Sequence, residues 1–224
     1  MRIVLALAAV VALTGAAPQG AKDWRATARV SPSGSVLVGN PAAKVKLVEY
    51  FSFTCGTCAN FARDSKPVLH DSLVRRGIVQ VEARAAVRDG FDMAAWAVAR
   101  CAPAAHFTAL SGEIFAQQAA WTAKGSGWVQ ANGATLKDQP LGRQVRAFAD
   151  GAGLTEIGAR HGLTAQALNA CLATPTLTNQ LDAMSSDAFA KIPGTPGFEV
   201  NGKLAEGVAG WAALQPVLAA AGAK

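Results

Sequence analysis

Cys55 and Cys58, three positions apart in the run S-F-T-C-G-T-C-A-N-F (52–61), are the side chains of this chain best suited to chemistry. A C-x-x-C pair can be a redox centre, half of a metal site or a structural bridge. Zinc needs about four nitrogen or sulfur ligands. The sequence has no second C-x-x-C and no paired histidines; His70, His106 and His161 are scattered, each reading as a surface or capping residue. No metal is therefore expected. A redox centre needs less: one thiolate able to attack, and a partner thiol within one helical turn to resolve the mixed disulfide. The start of a helix supplies what the thiolate requires, because its free N–H groups and partial positive charge stabilise an anion.

The flanking sequence predicts such a helix start. Lys44 to Phe53 is almost wholly apolar or β-prone, as in a strand buried on both faces of a sheet. Glu49 is the exception within it. A carboxylate there must be paired, protonated or turned to solvent at a sheet edge. After Cys58, Phe61, Val68, Leu69 and Leu73 fall at helical spacings, Pro67 predicts a kink and Gly77 a C-terminal cap. Ile78 to Val87 is a second strand, so residues 44–87 form a strand-helix-strand unit with parallel strands. An Ala-rich region follows with five expected helices: Met93 to Ala102, Phe107 to Trp121, Leu141 to His161, Thr164 to Ala173 and Leu177 to Ile192. Gly125 to Pro140 is expected as an exposed loop. Asn201-Gly202, between short alternating runs, predicts a β-hairpin, and Trp211 to Ala221 a final helix.

The first sixteen residues carry Arg2, an apolar stretch from Ile3 to Leu13 and small residues after it, the layout of a cleaved secretory signal peptide. That stretch is too short to span a bilayer, so the chain is expected to be exported and not membrane-embedded, with cleavage after Ala16. Export permits disulfides. Four cysteines allow three connectivities; the close spacing of 55 and 58 makes 55 with 58 and 101 with 171 the obvious pairing. Loss of Arg2 leaves 20 basic against 15 acidic residues, a net of about +5 spread thinly, so a nucleic-acid partner has little support. With 51% hydrophobic and 16% charged residues, the chain is globular.

Strand, helix, strand, helices, hairpin and helix is the order of an α/β thioredoxin fold with an inserted all-helical domain. With V-E-Y-F-S-F-T-C-G-T-C and G-T-P-G-F-E-V-N-G-K, the chain resembles the DsbA-type periplasmic thiol-disulfide oxidoreductases. The resemblance implies thioredoxin-like parts at 24–88 and 188–224, around a helical domain at 89–187. It implies Cys55 as nucleophile, Cys58 as buried resolving thiol and Glu49 as the acid relaying the Cys58 proton. Thr195 and Pro196, the latter in a cis peptide, would face the pair and bind substrate with Gly56 and Thr57. Cys101 and Cys171 would be a structural disulfide. The redox-active Cys55-Cys58 disulfide would take the place of any cofactor. Reduced or unfolded exported proteins would be the clients, and a quinone-linked membrane protein of the DsbB kind the reoxidant of a periplasmic monomer. One departure bears on direction. Gly56-Thr57 stands where the best-known members have Pro-His, which lowers the expected oxidising power and keeps open an isomerase or reductase held as the dithiol. A thioredoxin-fold holdase without redox turnover is the alternative of another class.

Overall fold

The computed structural model describes residues 22–224; the expected signal peptide lies outside them. Six strands form one sheet in the order β1-β2-β4-β3-β5-β6. They are β1 (Ala28–Val30), β2 (Val36–Val38), β3 (Val45–Phe51), β4 (Val79–Ala85), β5 (Gly197–Val200) and β6 (Lys203–Leu204). The apolar run before the C-x-x-C is β3, at the centre of the sheet, parallel to β4 and antiparallel to β5. Glu49 is thus not at an edge: it lies between Ala83 and Phe198 and is 7% exposed. On β3, Leu47 and Phe51 belong to the main core with Phe61 of the helix that follows, while Val48 and Tyr50 pack with Ala188 and Ile192. Both faces are covered, as the unbroken apolar pattern requires.

Helix α1 (Gly56–Val68) follows β3. Pro67 has no N–H to continue the α-helical ladder, and a π-helical turn, Leu69–Val74, follows it where a kink is expected. Gly77 closes the segment at φ +77°, with Trp24 stacked so near that a Cβ would sit 2.7 Å from its ring.

The helices inserted between β4 and β5 are α2 (Gly90–Cys101), α3 (Phe107–Ala116), α4 (Gln118–Asn132), α5 (Leu141–Ala152), α6 (Leu154–Arg160), α7 (Ala165–Leu172) and α8 (Thr176–Lys191). Helix α9 (Trp211–Ala220) ends the described chain, and Thr164 caps α7 by accepting the Ala167 N–H. Two expected helices are each broken in two. Phe107 to Trp121 breaks at Gln117, where the Trp121 indole N–H takes up the Ile114 carbonyl at 2.8 Å. Leu141 to His161 breaks at Gly153, whose φ of +79° ends α5 in a left-handed cap. The expected loop 125–140 is also corrected, since its first half belongs to α4. Gly125 faces the Phe91 ring, 2.6 Å from where a Cβ would stand, so it serves close packing rather than a turn. The Asn201-Gly202 turn is as expected, with both residues at positive φ.

Cys101 at the end of α2 is bonded to Cys171 in α7. The bridge closes a loop of 70 residues, which on the chain-entropy account stabilises the folded state by about 4 kcal/mol. Cys101→Ser/Cys171→Ser is expected to lose about that amount in urea unfolding, while the Cys55 and Cys58 thiols stay titratable. A loss under ~1 kcal/mol contradicts a load on this bridge.

Two of the three histidines are capping residues, as expected: His106 is the N-cap residue of α3 and His161 the C-cap residue of α6. His70 is half-buried, its Nδ1 sealed and unpartnered, and burial lowers its pKa to about 4. His106 is exposed and meets the His161 carbonyl through Nδ1, while His161 Nε2 lies 2.6 Å from Glu113. They are packing and pairing residues, and no cluster of metal-binding side chains occurs among the described residues.

Candidate active site

Where β3 ends, Ser52, Phe53 and Thr54 turn the chain into α1, and Cys55 becomes its N-cap with extended backbone (φ −87°, ψ 118°). The N–H groups of Thr57 and Cys58 point at the Cys55 sulfur, as the open end of a helix dictates. One turn on, Cys58 is 0% exposed, against 6% for Cys55, and both are free thiols. Thr195 and Pro196 come to the same place from the loop between α8 and β5. Their peptide bond is cis, and the Thr195 carbonyl lies 3.3 Å from the Cys55 sulfur. Gly56 and Thr57 are exposed beside them, with open space where a Gly56 side chain would be. Gly197 is different: a Cβ there would meet Ile192 at 2.5 Å, so the chain after Pro196 can pass only as glycine.

The electrostatics divide the two thiols. Cys55 is lowered to about 5, first by the hydrogen bond from Cys58, then by the Thr195 side chain and the helix N–H groups, with burial opposing. The contact to the Thr195 carbonyl favours the protonated thiol, but the donors outnumber it. Cys58 is pushed far up by burial, by the bond it gives to Cys55 and by the charges of Cys55 and Glu49; the Ser52 N–H opposes. Glu49, on the β3 face shared with Leu47 and Phe51, is raised to about 8 by burial. One exposed-side thiolate, one buried thiol and one neutral buried acid therefore share a site, and such a set can exchange disulfides and move a proton.

Three of its supports are not foreseeable from the C-x-x-C. Gln118, the first residue of α4, donates to the carbonyls of Phe53 at 2.7 Å and Cys55 at 3.1 Å. Asp89 accepts from the Thr54 hydroxyl at 3.0 Å and caps α2 by taking the Asp92 N–H. Asp92 accepts the Phe53 N–H at 2.7 Å. A signal existed for the last two, since Asp89-x-x-Asp92 has the form of a helix N-terminal box. Gln118 had none. Cys101 and Cys171 lie in the helical part and are bonded to each other, not brought to the site.

A β-α-β core with two thiols at its first helix and a helical insertion before its last hairpin defines the thioredoxin-fold class. A thioredoxin family model matches residues 31–220, and the chain belongs to that family. Its fold is DsbA-like. A protein-disulfide isomerase from Novosphingobium aromaticivorans is 31% identical, with a TM-score of 0.73, over 83% of this chain and 96% of that one. The Wolbachia pipientis protein alpha-DsbA1 shares the fold at 19% identity, with a TM-score of 0.64 over 85% of this chain and 92% of its own. A Rickettsia bellii protein provisionally named protein-disulfide oxidoreductase is 28% identical over 185 residues, 81% of this chain. The chain spans 62% of that relative's length. Among the described residues, no helix is long and apolar enough to cross a membrane.

Proposed function

We propose that this protein is a thiol-disulfide oxidoreductase that donates the Cys55-Cys58 disulfide to exported proteins. The observation that carries the reading is the Cys55 sulfur at the N-terminus of α1, held near pKa 5 above a buried partner thiol. In the reaction, a client thiolate attacks Cys55 Sγ and breaks the bond to Cys58, whose sulfur keeps the electron pair and takes a proton from Glu49. A second client thiolate then attacks the client sulfur of the mixed disulfide, forming the client disulfide and releasing Cys55 as thiolate. The client loses two electrons and the pair gains them. An extended client segment lies along Thr195 and Pro196, recognised through its backbone as in strand addition. The leader at residues 1–16 directs the chain to the periplasm, and a quinone-linked membrane protein of the DsbB kind removes the two electrons.

Direction follows from the thiolate. At neutral pH a thiol lowered to about 5 from an ordinary 9 stabilises the reduced form, by about 2 to 3 kcal/mol or roughly 60 mV on the two-electron couple. That favours giving disulfides away. The likeness to the Novosphingobium isomerase and the Gly56-Thr57 pair favour a second reading, an isomerase or reductase kept as the dithiol. Equilibration with glutathione separates the donor from a reductase, and the redox state of the pair in cells separates it from an isomerase, which is held mostly reduced. A donor is expected between roughly −200 and −120 mV, and a value near about −270 mV rejects donation for reduction.

A further inference from the structure

The turn that delivers Cys55 is gripped from the helical side by a carboxylate that the exchange reaction does not use. Asp92, in the first turn of α2, is 0% exposed. Its Oδ1 accepts the Phe53 N–H at 2.7 Å, its Oδ2 accepts the Arg88 N–H at 3.0 Å, and the Ser52 side chain is bonded to it as well. The peptide whose N–H it takes joins Ser52 to Phe53. The carbonyl of that same peptide accepts the Cys55 N–H at 3.2 Å, and Ser52 directs its own N–H at the Cys58 sulfur. One short segment thus ties Asp92 to both cysteines. Bonds to an ionised acceptor are stronger than neutral ones, so the ionised carboxylate holds this segment more firmly.

Few charges face this carboxylate. Asp89, from the same end of α2, repels it; the turn before α1 presents Ser52 and the Phe53 N–H; the loop after β4 presents the backbone of Arg88. Burial raises its carboxyl to about 7, so it changes charge within the range where exchange runs.

We infer that Asp92 is a positioning residue for the redox pair: by gripping the Ser52-Phe53 peptide and the Ser52 side chain it fixes Ser52, whose own N–H, in the preceding peptide, meets the Cys58 sulfur as that sulfur leaves. The inference rests on the exchange reaction proposed above. When an outside thiolate attacks Cys55 Sγ, the Cys55-Cys58 bond breaks and its electron pair stays on Cys58, next to the Ser52 N–H. A better stabilised leaving thiolate leaves faster.

The test is the rate at which glutathione reduces the oxidised protein between pH 5 and 9, corrected for the thiolate fraction of glutathione. The natural chain is expected to show a rise of about tenfold with a midpoint near 7, as Asp92 ionises, and a fall above about 8, as Glu49 gives up the proton it passes to Cys58. Asp92→Asn is expected to lack that rise and to react about tenfold more slowly at pH 8. Glu49→Gln removes the other buried acid and is expected to react more slowly throughout, keeping the rise and losing the fall above about 8. A folded Asp92→Asn protein with the natural rate and profile overturns the inference. Should that variant not fold, Ser52→Ala decides, since it deletes one donor and leaves the carboxylate: the midpoint moves to higher pH, and an unmoved midpoint overturns the inference. An oxidised natural chain that reacts no faster than oxidised dithiothreitol overturns the exchange reading itself.

Discussion

Cys55→Ala is expected to transfer no disulfide to a reduced, unfolded model protein, its rate falling by about a thousandfold or more. The reason lies in the difference between the two sulfurs. Cys55 is the one at the helix opening, beside the Thr195 loop, and held as thiolate near pKa 5. Cys58 cannot replace it, because it is fully enclosed and its thiol is pushed far up, leaving no thiolate at neutral pH. Recovery of client activity together with loss of client thiols gives the measurement. The complementary Cys58→Ala protein keeps the nucleophile but lacks the resolving thiol, so its Cys55 thiolate, attacking a disulfide of an oxidised client and displacing one client thiolate, is expected to accumulate as the mixed disulfide. Full donation by Cys55→Ala would falsify the exchange reading. A holdase, by contrast, suppresses client aggregation equally well in all three proteins.

Glu49→Gln is expected to slow exchange by tens of fold and to change the pH dependence of stability. In the folded chain Glu49 titrates near 8 against an ordinary 4.5, so between those values the unfolded state gives up a proton that the folded state keeps. Its contribution is therefore complete below pH 4.5 and is lost as pH rises to 8. The loss is on the order of 4 to 5 kcal/mol. Cys55 runs the other way: its lowered pKa adds stability present above pH 9 and lost as pH falls toward 5. Asp92 acts in the same sense as Glu49 at slightly lower pH. Both are common to the natural chain and the variant, so the difference between the two denaturation curves isolates Glu49. At pH 5 the two should agree within about 1 kcal/mol, and at pH 8 the variant should be more stable by roughly 4 kcal/mol. Parallel stability curves from pH 5 to 8 would remove Glu49 from the role of proton holder.

What was legible in the residues was whatever local chemistry fixes. A seven-residue apolar strand, a C-x-x-C at its end and a Gly77 stop each determine their structure within a few residues, and β3 and α1 appear where those signals put them. The Asn201-Gly202 turn is of the same kind. Elements set by distant packing were harder. β1 and β2, three residues each, are too short to show a period, and they exist because β4 offers β2 an edge. Gly125, Gly127 and Gly133 suggest a loop, yet the first two lie within α4, Gly125 packed against the Phe91 ring. Within the site, Cys55, Cys58, Glu49, Thr195 and Pro196 could be named from motif and resemblance. Gln118 could not, because an amide reaching across 63 residues to a carbonyl leaves no pattern in the chain.

The central strand β3 is flanked by β4, which follows it closely, and by β5, which begins only at Gly197. Everything between them is helical insert, so the sheet closes around its middle strand only when the most distant segment of the chain arrives. A chain emerging N-terminus first presents its two active cysteines long before Thr195, 140 positions further on, is available to face Cys55. Closing so long a loop is entropically costly and slow relative to the local β3-α1-β4 unit. The half that carries the thiols is thus made before the half that faces them, and Cys55 gains its contact with Thr195 only when the whole fold is complete.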